Sequence, residues 1–307
     1  MGVFENVIQK NRLSLGLVFP IESYSGSLAR MEGQEELAQK AEALGFKALW
    51  FRDVPFHDPT FGDAGQLYDP WVYMTHIMNH TERIALATGS IILPLRHPVH
   101  TAKALASLQV LSKGRLLLGI ASGDRPSEYP AFGKILEDKG ALFRDSFSYL
   151  KALRNSFPKY ESHTFGSLTG TLDLVPNYGG HTPMFVTGHS GQNLDWIAEH
   201  ADGWLYYPRD FGYLKRSMQD WHDSLAKMEQ PWKPYMQSLY IDLVDDPKAL
   251  PKPIHLGFRC GSEFLVAYLK NLEHHGVNHV ILNLKYGSRP AKEAVAALGS
   301  EVLPEFQ

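Results

Sequence analysis

The sequence predicts an α/β protein, a (β/α)8 TIM barrel with insertion segments, and three observations carry that expectation. Short apolar runs alternate with amphipathic stretches along the chain, the order that builds a parallel sheet with helices outside it. Residues 83–123 read RIALATGSIILPLRHPVHTAKALASLQVLSKGRLLLGIASG, a strand, a helix and a strand in one βαβ unit. The length, 307 residues, suits one such barrel, so a single domain over 1–307 is expected.

Each element has its own signal. Residues 13–19 (LSLGLVF) form the first strand, stopped at Pro20. Residues 31–44 set Leu37, Ala38, Ala41 and Leu44 at helical spacing, and Gly45 ends that helix. Residues 46–51 (FKALWF) are the second strand, which runs out into Arg52 and Asp53. The loop over 54–68 is long for a compact domain, and such loops are usually functional or disordered. Asp69 then caps a helix with Pro70 at its first position. The third strand is 84–87, and a second apolar run, 91–93, ends at Pro94. A helix over 98–111 breaks at Ser112-Lys113-Gly114, before a fourth strand over 115–120.

Beyond this unit, 143–153 is amphipathic helix, and 162–176 looks like a hairpin turning on Gly166 and Gly170. The fifth strand is 183–187, with a helix over 192–200; the sixth is 203–207, with a helix over 213–228. Residues 235–243 are the seventh strand. Residues 245–256 carry Pro247, Pro251 and Pro253 and read as an irregular connection. A helix over 262–275, an eighth strand over 279–284 and a helix over 290–298 close the pattern.

Composition narrows the function. The net charge is −3 with no long basic run, so nothing points to nucleic acid. No apolar run approaches the roughly 20 residues of a membrane span. The N-terminal MGVFENVIQKNR lacks the apolar core of an export signal, and Asn6 breaks the myristoylation pattern. Cys260 is the only cysteine, so a disulfide within the chain is impossible and a cytoplasmic location is expected.

Parallel barrels place their chemistry at the carboxyl ends of the strands. Two of those ends, Thr88-Gly89-Ser90 and Ser122-Gly123, are small enough for a flat ligand to approach the backbone. The segment Thr187-Gly188-His189-Ser190-Gly191-Gln192-Asn193 joins a strand to a helix, where free N–H groups favour phosphate; alternatively Ser190 only caps that helix. No G-x-G-x-x-G dinucleotide fingerprint occurs here. His57 lies near Asp53, and a carboxylate that orients an imidazole makes a usable acid/base pair, against the reading of a surface histidine. Lys285 stands where a barrel aldolase keeps a Schiff-base lysine, against the reading of a rim lysine. Glu128 is expected to anchor its loop. His76 and His80 are spaced for zinc but lack the glutamate of H-E-x-x-H, and no metal site is expected.

Three separated stretches then resemble one family. GSIILPLRHPVHTAKALASLQVLSKGRLLLGIASG, the following EYPAFG and VTGHSGQNLDWIAEHADGW resemble, in order, motifs of the bacterial luciferase-like flavin-dependent monooxygenases. The resemblance implies a (β/α)8 barrel with a cis peptide at Gly89-Ser90 under the flavin ring. It implies that Thr88, Ser122 and Gly123 line the ring or ribityl chain. It places the flavin phosphate on Gly188, His189, Ser190, Gly191 and Gln192, with Arg125 meeting the phosphate or an anionic substrate. The family's second-strand loop often carries an acidic residue followed directly by histidine; here Val54 follows Asp53, and the nearby histidine is His57. The implied activity is monooxygenation of a small, apolar organic substrate by reduced FMN and O2. Reduced flavin would come from a partner flavin reductase or a nicotinamide cofactor, and a homodimer is expected. Two alternatives stay open: hydride transfer on a deazaflavin, and a flavin-binding protein without turnover.

Overall fold

Eight parallel strands close into a barrel in the computed structural model, which describes residues 2–62 and 64–306. Asp63, within the expected long loop, and Met1 and Gln307 at the ends lie outside the described residues. The barrel strands are β1 (Ser14–Val18), β2 (Ala48–Phe51), β3 (Ala85–Thr88), β4 (Leu116–Ala121), β5 (Met184–Thr187), β6 (Gly203–Tyr206), β7 (Tyr235–Leu243) and β8 (Val277–Asn283). Each pairs in parallel with the next. β8 returns to β1 in the register Ser14↔His279 through Leu17↔Leu282, which closes the ring.

Alternation along each strand sorts the side chains into two layers. Val18, Trp50, Ala87, Leu117, Phe185 and Met236 belong to the cluster that fills the barrel interior. Their neighbours Leu17, Leu49, Leu86, Leu118 and Val186 face outward and pack in the larger cluster under the helices. The helix Val3–Val7 plugs the amino end of the barrel, where Phe4 stacks on Phe185 with centroids 6.2 Å apart. That plug leaves the opposite end, where the strands finish, as the open face.

Three expected elements are corrected. The hairpin pairs Lys159–Ser162 with Gly166–Thr169, so Gly166 opens the second strand and Gly170 follows it. The turn is made instead by Ser162, whose Oγ accepts from the N–H groups of Thr164 and Phe165 at 3.1 and 2.8 Å. The expected irregular connection contains a strand, Lys252–Ile254, which pairs antiparallel with Gly257–Cys260, itself parallel to the end of β7. Pro253 is tolerated there because Lys252–Ile254 is the edge of the sheet. The helix expected from 192 begins at Leu194, and its cap is the Asn193 side chain, which accepts from Trp196 N–H at 2.8 Å. Ser190 is therefore released from capping.

Candidate active site

The carboxyl ends of β3, β4 and β5 form one shelf of small residues. Thr88 Oγ1 donates to Gly119 O at 2.7 Å and ties β3 to β4. The peptide Gly89-Ser90 that follows is cis, as the resemblance implied. Ser90 and Thr187 share a hydroxyl–hydroxyl hydrogen bond. Ser190 Oγ donates to Thr187 O at 2.8 Å and accepts from Ser122 N–H at 3.1 Å, joining β5 to β4. Tyr129, fully buried below, donates its hydroxyl to Ser122 O. The shelf is thus cross-linked by side chains that leave its upper face low.

The loop after β5 turns through positive φ at Gly188, Ser190 and Gly191. Gly191 has to be glycine on two counts: its φ is +73°, and a Cβ there would lie 2.6 Å from the Gly140 Cα. The N–H groups of Ser190 and Gly191 have no hydrogen-bond partner among the described residues. Gln192, expected at the phosphate, has its carboxamide engaged elsewhere: Nε2 donates to Gly140 O at 2.8 Å and Oε1 accepts from Arg144 at 2.9 Å. His189 packs its ring against Trp204 and Tyr206 at 5.6 and 5.8 Å.

The structure does not pair Asp53 with His57. Both carboxylate oxygens of Asp53 are held by Arg96, and the peptide N–H of Ile92 adds a third bond at 3.1 Å. His57 Nε2 instead meets Ser27 Oγ at 2.7 Å on the exposed loop. The expected acid/base pair is corrected for a physical reason: a guanidinium offers two parallel charged donors to one carboxylate, a fork an imidazole does not have.

After β2, Phe61, Gly62 and Ala64 are each held by a neighbouring segment. Phe61 lies under the Arg125 guanidinium at 4.5 Å, and Ala64 N–H donates to Ser27 O at 2.8 Å. Lys285 is buried rather than a solvent-facing rim lysine: its Nζ donates to Gly62 O at 3.2 Å and sits over Tyr24 at 4.8 Å. Glu128 does not anchor its loop as expected. Its Oε1 is buried without a hydrogen-bond partner, and Arg125 Nη1 is 3.8 Å away. Burial, opposed by Arg125 and aided by Asp53, Asp124 and Asp58, lifts its pKa to about 7.

Sequence reasoning missed Arg96. Arg96 stands in the R-H-P run after β3, and its charge beside a strand end was the available signal. Tyr207 follows Leu205 at the next inward position, and its ring edge lies 3.9 Å from where a Gly188 Cβ would be. Its phenol pKa is raised by burial first, then by Asp124, Tyr240 and Tyr206. Tyr240 continues this side of the mouth and meets Tyr286 at 5.2 Å. One half of the rim is small and polar, the other aromatic. At Gly188 nothing but the Tyr207 edge stands within 4 Å of where a Cβ would be.

Comparison with known proteins identifies the family. The family described as luciferase-like monooxygenase matches residues 14–241, and the chain belongs to that family. The chain is 32% identical over 199 residues to an uncharacterized protein of Mycobacterium tuberculosis H37Rv, a match covering 56% of this chain and 67% of that protein. It is 29% identical over 185 residues to the F420-dependent hydroxymycolic acid dehydrogenase of the same strain, covering 58% of this chain and about half, 49%, of the relative. Among solved structures, the oxygenating constituent of 3,6-diketocamphane monooxygenase from Pseudomonas putida, in complex with FMN, superposes with a TM-score of 0.76 at 15% identity. That match covers 96% of this chain and 99% of that one, and at this identity it speaks for the fold alone. No described helix is long and apolar enough to cross a membrane.

Proposed function

We propose that the chain is an FMN-dependent monooxygenase acting with O2 on a small, apolar organic molecule. The observation that supports it best is the pairing of the small shelf, Thr88 to Ser90 with Ser122 and Gly123, with a loop whose Ser190 and Gly191 N–H groups stand unengaged. Successive N–H groups in a loop of positive φ favour a phosphate. The shelf would carry the ring and ribityl chain, and the loop the phosphate. Bound reduced FMN would supply the electrons for the reaction with O2. The chain's own part is to hold the ring flat, keep water out and set the substrate against the aromatic half. Phe56 and Phe61, on the loop over 54–68, and Tyr207 and Tyr240 offer apolar walls for such a substrate.

A second reading, hydride transfer on a deazaflavin, is favoured by the F420-dependent relative at 29% identity. The phosphate assignment is tested by calorimetric titration of the protein with FMN and with riboflavin, which lacks the phosphate. FMN should bind about 100-fold more tightly, and equal affinity would remove the role given to the Ser190–Gly191 loop.

A further inference from the structure

Gly16, Trp50 and His279 meet inside the barrel, on β1, β2 and β8. Trp50 is 1% exposed and His279 is fully buried. The indole Nε1–H donates to His279 Nε2 at 3.0 Å. An indole nitrogen can only donate, so Nε2 is the bare nitrogen and the imidazole proton sits on Nδ1. Nδ1 lies 2.6 Å from Ser14 Oγ, whose own hydroxyl donates to Val7 O at 2.5 Å. A chain of hydrogen bonds therefore runs from the plug helix Val3–Val7 through Ser14 and His279 to the Trp50 indole.

Gly16 makes the meeting possible. A Cβ there would lie 2.7 Å from His279 Nε2 and 2.9 Å from Trp50 Nε1, inside the hydrogen bond itself. The other end of the indole reaches the shelf. A Cβ on Gly89 would lie 3.2 Å from Trp50 Cε3, so the indole stands against the side-chain face of the Gly89-Ser90 peptide. A core that only had to be filled would be served by apolar residues, because burying an imidazole is unfavourable unless both nitrogens are bonded. Here both are bonded, and the bonds fix the rotation of one ring, Trp50.

We propose that His279 is a positioning residue for the cofactor site: it sets the Trp50 indole as the rigid floor under Gly89-Ser90, on which the flavin ring is carried. This rests on the flavin reading above. Ser14 and the plug helix then belong to the same support, so the closed end of the barrel helps shape its open end.

The test is 19F NMR of protein labelled with 5-fluorotryptophan, with FMN titrated in. Trp50 is one of six tryptophans, and its resonance is assigned by Trp50→Phe. In the unaltered protein FMN should bind and shift the Trp50 resonance. His279→Phe keeps the ring volume and removes the acceptor. It should weaken FMN binding about tenfold and change the Trp50 resonance before any FMN is added, with the circular dichroism spectrum retained. Ser14→Ala, a smaller change that serves should His279→Phe not fold, should give the same two effects, about threefold in affinity. A purely structural role would lower the melting temperature and leave the affinity and the FMN-induced shift alone. Unchanged affinity and shift in either folded variant would overturn the proposal while leaving the flavin reading intact. Failure of the unaltered protein to bind FMN or deazaflavin would overturn both.

Discussion

Arg96 grips Asp53 through two parallel hydrogen bonds, Nε–H to Oδ2 at 2.8 Å and Nη2–H to Oδ1 at 2.7 Å, and Nη2 also reaches Asp69 Oδ2 at 2.7 Å. Asp69 in turn caps the helix Pro70–Met78, accepting from Trp71 and Val72 N–H. The end of β2, the segment after β3 and the start of a helix are thereby one electrostatic unit. Burial works against the Arg96 charge, but the Asp53 and Asp69 carboxylates outweigh it and raise the pKa.

Arg96→Ala should therefore destabilise the protein by about 3 kcal/mol, because it leaves the Asp53 carboxylate buried and uncompensated. Asp53→Asn should cost less, since a neutral amide still accepts from Arg96. Urea denaturation checks both. A variant Asp53→Asn that kept full stability but lost turnover would return Asp53 to the role of a catalytic base.

At the phosphate loop, Ser190→Asp should lower FMN affinity about 100-fold through charge repulsion and leave riboflavin binding much less affected. Gly191→Ala should cost about 1–3 kcal/mol of stability, because φ is positive and the new Cβ meets the Gly140 backbone. Fluorescence titration and thermal melting read these separately. Equal losses for FMN and riboflavin in Ser190→Asp would place the phosphate elsewhere.

Glu128 predicts a pH dependence with a definite sign. Its pKa rises from 4.5 to about 7 on folding, burial being the largest cause. Between those values the folded state holds a proton that the unfolded state has lost. Stability then falls as pH rises through this window, by at most about 3 kcal/mol, and the full cost is present above pH 7. Glu128→Gln should be more stable than the unaltered protein at pH 8 and nearly equal at pH 4. Urea midpoints at both pH values decide it, and a loss at pH 8 would contradict the assignment.

His279 predicts the opposite slope. Burial lowers its pKa from 6.5 to about 3. Its contribution is fully present above pH 6.5 and is lost as pH falls towards 3, at up to about 1.4 kcal/mol per pH unit. His279→Phe should flatten the acid limb of the stability profile, in contrast to Glu128→Gln, which flattens the limb approaching neutrality.

The barrel was legible because burial follows a period of two in strands and a wider stripe in helices, and both periods are written in the order of residues. The shelf was legible for a similar reason: small residues cluster just after β3, β4 and β5. What stayed hidden depends on partners remote in sequence. His57 is near Asp53 in the chain, yet Arg96, 43 positions away, takes the carboxylate. Gln192 looked available until folding brought Gly140 and Arg144 to it. Trp50 and His279 are 229 positions apart, and neither strand alone shows that Gly16 opens the space between them. The turn at Ser162 was missed because a hydroxyl did what glycine was expected to do.

The monooxygenase reading is tested by an anaerobic absorption titration of the purified protein with FMN and with deazaflavin, each oxidised and reduced, followed by exposure to O2. FMN should bind saturably, Ser190→Asp should weaken that binding, and the bound reduced FMN should be consumed only when O2 is admitted. Saturable binding of deazaflavin alone, with no response to O2, would contradict the monooxygenase reading and assign the shelf to hydride transfer.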